Sequence, residues 1–129
     1  MKLRHVAGMF AALIVSQSSA LAEGDAKKGK SVYKRCAVCH VVDKEKNKVG
    51  PHLVGIIGRK AGVVEKFKYS KAMRKKGEEG MVWDEANIDA YLEKPRKFIP
   101  KNKMAFVGLK KKSDRDNVIA YLKEATKKK

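Results

Sequence analysis

The chain is poor in the residues that cross-link or interrupt small proteins, with two cysteines, three prolines and one tryptophan among 129 residues. A single cysteine pair excludes a disulfide framework. Because Cys36 and Cys39 lie so close in sequence, a bond between them would close only a tiny loop and add little stability. After residue 22 there is no apolar run long enough to span a bilayer, no internal repeat and no Gly/Ser linker. No segment reads as a convincing paired strand. Acidic residues are the scarce charge, 14 against 31 basic, for a net +17.

The first residues have a three-part layout. Lys2 and Arg4 make a positive start, Val6 to Val15 is apolar apart from Gly8, and the stretch from Ser16 ends in Ala20-Leu21-Ala22. This pattern predicts a secretory signal peptide over residues 1 to 22, cleaved after Ala22. The apolar part is about half the roughly 20 residues a membrane span needs. Export to the periplasm is therefore expected, with one domain over residues 23 to 129. Without Lys2 and Arg4 the balance becomes 29 basic against 14 acidic, or +15. A domain this small with few aromatics has a modest core and often leans on a metal, disulfide or cofactor.

Helical signals are brief. Asp25 suits an N-cap, and Gly29, Tyr33, Cys36 and His40 follow at spacings that collect them on one helical face. From Val41 to Lys71 the glycines and Pro51 predict loop and turn. Asp84 should cap a helix with Ile88, Tyr91 and Leu92 on its apolar stripe, ending at Pro95. The segment from Pro95 to Gly108 has two prolines and no helical period. Ser113 with Asp116 suggests a capping box opening a last helix, in which Val118, Ile119 and Leu122 share a face. The class predicted is all-α with unusually long loops.

The residues "CAVCH", Cys36 to His40, can be read several ways. A redox dithiol needs a βαβ context, which is missing. Structural zinc wants four ligands, and only His40 and His52 accompany the cysteines after residue 22. C-x-x-C-H is also the signature of covalent haem attachment: each sulfur adds to one vinyl group of the porphyrin, and the next residue, His40, lies where its imidazole can coordinate the iron. A second axial ligand must then be found or left absent. His52 reads as a solvated loop histidine, Met73 as part of a solvated face in "SKAMRKK", and Met81 as core beside Trp83. Met104, an apolar residue in a proline-bounded loop flanked by lysines, is the favoured ligand.

The blocks "GDAKKGKSVYKRCAVCH", "VGPHLVGIIGRKAG", "FKYSKA" and "YLEKPRKFIPKNKMAFVGLKKKSDRDNVIAYLKEATKK" resemble the class I cytochromes c, nearest the mitochondrial cytochrome c and bacterial cytochrome c2 branch. The likeness covers nearly all of residues 23 to 129. It implies a small cytochrome c fold, with N- and C-terminal helices crossing and long loops wrapped around one covalent haem c. By the same resemblance Cys36 and Cys39 hold the haem, and His40 and Met104 ligate its iron. Pro51 accepts the other N–H of the ligand histidine, and Arg59, Tyr69 and Trp83 hold the buried propionate. Tyr91 lies beside the methionine sulfur, Phe106 near the haem edge, and Gly29 and Tyr33 meet Tyr121 at the helix crossing. Two positions depart from the family. Met73 stands where asparagine is common and Asn102 where threonine is, and Arg74 to Gly80 looks like a loop insertion of about three residues.

A haem with both axial positions filled leaves no site for a substrate, so a one-electron carrier is expected and not an enzyme. The resemblance implies membrane redox complexes as partners: a quinol-oxidising cytochrome bc1-type donor, and a terminal oxidase or photosynthetic reaction centre as acceptor. Lysine-rich flanks of the haem and Met104 segments suit acidic docking surfaces, with transient membrane-surface contact and a monomeric state. Nucleic-acid binding fits poorly with export. The other reading of a haem protein is a sensor or peroxidase-like enzyme with a labile sixth ligand.

Overall fold

Asp25 behaves in the computed structural model, which describes residues 24 to 129, as its side chain predicts. Its carboxylate accepts from the Lys27 and Lys28 amides at 2.8 and 3.2 Å and opens α1, Ala26–Tyr33. The expected signal peptide lies outside the described residues. Four further helices follow: α2, Lys71–Glu78; α3, Glu85–Glu93; α4, Pro95–Phe98; and α5, Lys112–Ala125. Among the described residues there is no strand, only an isolated antiparallel bridge between Lys60 and Val82. The all-α expectation holds. No helix of the described residues is long and apolar enough to cross a membrane.

The frame is the crossing of α1 and α5. Gly29 permits it: a Cβ there would lie 1.9 Å from the Asn117 carbonyl oxygen. Tyr33 and Tyr121 stack beside the crossing with ring centroids 5.2 Å apart. Val118, Ile119 and Leu122 bury the inner face of α5, as their spacing predicts. Helix α3 packs on α5 and buries Ile88 and Tyr91, with Asp84 capping through the Asn87 amide at 2.8 Å. Arg115, 6 % exposed, ties these parts together. It pairs with Asp89 of α3 at 2.7 Å and donates to the carbonyls of Leu109 and Lys110 at 2.8 and 3.0 Å.

Four expectations need correction. Arg74 to Gly80 is largely helix, since the Ser70 hydroxyl accepts from the Met73 amide at 3.0 Å and caps a run of good helix formers. Gly77 lets α2 lie against the Ala61 carbonyl oxygen, 1.9 Å from where a Cβ would be. Met73 is accordingly not on a solvated face: it packs against the buried cluster of Trp83, Ile88 and Ile99. The capping box at α5 does not form. The helix starts at Lys112 without a side-chain cap, and Asp116 instead pairs with Lys112 at 2.8 Å, an i, i+4 contact. The segment after Pro95 also contains one helical turn, α4, with proline at the position where its missing N–H costs nothing. The rest, to Gly108, is loop as expected.

Candidate functional site

Helix α1 ends where the cysteine motif begins, and backbone bonds carry the turn onward. The Cys36 amide donates to the Tyr33 carbonyl at 2.7 Å, and the Cys39 and His40 amides donate to the Cys36 carbonyl at 3.0 and 2.9 Å. This tight turn places Cys36, Cys39 and His40 along one wall of a cleft. The other walls come from parts of the loop between Val49 and Arg59, among them Pro51, Leu53 and Ile56 but not His52, from Phe67, Tyr69 and Ser70, from Met73 of α2, from Trp83, from Ile88 and Tyr91 of α3, and from Lys103 to Phe106. Its volume is about 260 Å³. A water needs roughly 10 to 15 Å³ on this measure, so the space suits a ligand of tens of atoms.

His40 is held at several points. Its Nδ1 lies 2.7 Å from the Pro51 carbonyl oxygen, and its own carbonyl accepts from the Tyr33 hydroxyl at 2.9 Å. Gly50 lies flush against the ring, since a Cβ there would be 2.5 Å from Cε1. An Nδ1–H donated to a carbonyl leaves the lone pair on Nε2, the tautomer a metal needs. Burial holds the imidazole pKa below its ordinary value, outweighing the bond to Pro51, and Arg59 and Lys48 push the same way. The ring is therefore a neutral base at neutral pH. Burial raises the Cys36 thiol, partly offset by Arg35.

Across the cleft, Tyr91 donates its hydroxyl toward the Met104 sulfur at 3.8 Å. The Tyr91 pKa is raised by burial. Trp83 packs on Tyr91 with centroids 4.9 Å apart. His52 stays out of the cleft: its Nδ1 accepts from the Val54 amide at 3.2 Å. Met81 packs against the core, as read from its neighbour Trp83. Arg59 donates through Nη1 to the His52 and Val54 carbonyls, both at 3.0 Å. Tyr69 accepts from the Val64 amide at 3.1 Å.

Arg59 Nε is a buried donor with no hydrogen-bond partner. Such a group is costly unless something satisfies it. An anion entering this end of the cleft would do so, and a haem propionate is one. The cleft's apolar walls, the two thiols, the neutral imidazole and the thioether also suit haem c. The zinc reading fares worse, since no three His, Cys, Asp or Glu side chains of the described residues cluster as metal ligands.

Sequence reasoning missed three parts of this site. Gly50 contributes through close approach alone, Met73 through helix α2, where the sequence suggests a loop insertion, and Lys103 by bonding the Lys68 carbonyl at 3.3 Å. Only the Ser70 cap ahead of "KAMRKKGE" could have signalled the second.

Known proteins agree with this architecture. A family model described as "Cytochrome c" matches residues 26 to 126. A cytochrome c of Gibberella zeae is 51 % identical over 109 residues, covering 83 % of this chain and all of the relative. A cytochrome c2 of Agrobacterium tumefaciens is 50 % identical over 101 residues, covering 78 % of this chain and 91 % of the relative. The solved structure of cytochrome cH from Methylobacterium extorquens superposes with a TM-score of 0.71 at 40 % identity, over 78 % of this chain and 98 % of that one. With a matching family model over most of its length and relatives at half identity, the chain belongs to the cytochrome c family.

Proposed function

We propose that the chain holds one haem c, bound through thioethers to Cys36 and Cys39 with His40 and Met104 as axial ligands, and carries single electrons. The observation that supports this best is the convergence of these four residues on one apolar cleft. Haem supplies an iron centre that gains or loses one electron. The protein's part is to hold, shield and tune it.

His40 offers Nε2 because Nδ1 is held by Pro51. Met104 offers a soft sulfur, which favours the ferrous state. Arg59, with Tyr69 and Trp83 nearby in the lining, would hold the buried propionate. The apolar walls disfavour the extra positive charge of the oxidised state. With both axial positions filled no substrate site remains, so the role is that of a carrier and not of an enzyme.

The excess of basic residues after residue 22, 29 against 14, suits brief docking on acidic surfaces of membrane redox complexes. A cytochrome bc1-type donor and an oxidase or reaction-centre acceptor are the partner classes, met by a monomer in the periplasm after loss of residues 1 to 22. The test is a visible spectrum of the exported protein before and after acidified-solvent extraction. Haem should stay with the polypeptide, and Cys36→Ala with Cys39→Ala together should release it. Met104→Ala should alter both spectrum and reduction potential; if neither changes, the labile-ligand sensor or peroxidase-like reading replaces this one.

A further inference from the structure

Asn102 is two residues from Met104, and its side chain uses its whole hydrogen-bonding capacity. The Oδ1 accepts from the Met104 backbone N–H at 2.8 Å and shares the single Tyr91 hydroxyl proton, at 3.3 Å, with the Met104 sulfur at 3.8 Å. The Nδ2 donates to the carbonyls of Ile99 at 2.8 Å and Pro95 at 3.0 Å. An amide has two donors and two acceptor sites, so nothing is left over. The carbonyls it grips belong to residues with almost no exposure: Ile99 is 0 % exposed, and Pro95 is fully buried in α4. The loop between is tight, with Lys101 in the left-handed region at φ 65°. That conformation is unfavourable for a lysine and persists only where its surroundings impose it.

We propose that Asn102 is the positioning residue for Met104, clamping the methionine loop to the core so that the thioether resists displacement by competing ligands. The inference rests on the His40/Met104 reading above. Proximity alone would not carry it. The geometry does, because one side chain links the backbone of Met104, the hydroxyl beside its sulfur and two immobile carbonyls. Without the amide, the Met104 N–H loses its partner, the Pro95 and Ile99 carbonyls keep only their backbone donors, and the exposed Lys103 bond to the Lys68 carbonyl is left to restrain the loop. A hydroxyl at position 102 has one proton to donate, so it could not hold both carbonyls.

The experiment uses the haem-loaded protein and free imidazole as the competing ligand, with affinity for the ferric protein read from the spectrum. Asn102→Ala should bind imidazole at least tenfold more tightly than the unaltered chain, and Asn102→Thr should fall between the two. Hydrogen exchange gives a second readout: the Met104 amide should lose protection in both variants while Leu122 in α5 keeps its own. Thr126→Ala, at a buried position just beyond α5 that does not line the cleft, serves as a control that lowers stability away from the loop. If it raises imidazole affinity as much as Asn102→Ala does, the effect is general loosening and the proposal falls. Unchanged affinity in Asn102→Ala also overturns it. Should the unaltered protein already bind imidazole like an open site, the Met104 ligation has failed, and the clamp with it.

Discussion

Replacing Gly29 by alanine sets two effects of opposite sign against each other. Alanine is a better helix former than glycine by about 1 kcal/mol, so propensity alone predicts a more stable α1. The added Cβ would lie 1.9 Å from the Asn117 carbonyl oxygen and 2.8 Å from Tyr121 Cβ, whereas ordinary contact begins near 3.4 Å. The helices would have to part by roughly 1.5 Å. A gap of even 0.5 to 1 Å forfeits about a quarter to a half of the dispersion energy across an interface. Overpacking typically costs about 1 to 3 kcal/mol, and the upper end applies because the obstacle is backbone, which has no rotamer to escape into. The clash should win by about 2 kcal/mol. At about 4 to 8 °C per kcal/mol for a domain of this size, Gly29→Ala should lower the Tm by about 8 to 16 °C in a thermal melt followed by circular dichroism. The turn bearing Cys36 and His40 hangs from α1, so the haem spectrum should shift as well. A Tm equal to or above that of the unaltered protein would refute the close crossing.

Two further outcomes follow from side chains and charge. Burial, reinforced by the negative charges of Tyr121 and Asp43 and, in the haem-free chain, of Cys36, pushes the Tyr33 pKa up to about 12 from 10.0. Its neutral form is favoured in the folded state, so this stabilisation is complete below pH 10 and is lost as pH rises toward 12. Tyr33→Phe should therefore lose about 1 kcal/mol at neutral pH, through the bond to the His40 carbonyl, and show a shallower decline between pH 10 and 12. Urea midpoints across that range would measure it, and equal slopes would count against the assignment. Separately, the rate of electron transfer with membrane partners should fall about tenfold or more between low salt and a few hundred millimolar. Stopped-flow rates that ignore ionic strength would remove the role given to the basic excess.

Short-range features were legible in the sequence. Asp25 and Asp84 cap α1 and α3 as their side chains predict, because an N-cap needs only a carboxylate two or three residues ahead of a free amide. The same logic misled at Ser113 and Asp116, where the carboxylate is within reach of Lys112 and pairs with it instead. At α2 the extra length of Arg74 to Gly80 reads as a loop insertion, although Gly77 is there because Ala61, sixteen residues earlier, leaves no room for a Cβ. Met73 reads as solvated for a related reason: its surroundings come from other parts of the chain.

The candidate site divides along that line. Cys36, Cys39 and His40 are bound to their chemistry by adjacency, since a spacing of two residues and one helical turn sets their relative positions wherever the chain goes. Met104 and Pro51 could be singled out by residue type and by family resemblance. What else holds the site could not: Gly50 against the ring and the four bonds of Asn102 join residues whose distance is set by packing, which also leaves Arg59 Nε without a partner. Hydrogen-bond partners are chosen by which buried groups lack water, and burial belongs to the folded chain as a whole. The motif alone names Cys36, Cys39 and His40 as candidates to hold a haem; the tertiary contacts establish how firmly they are held.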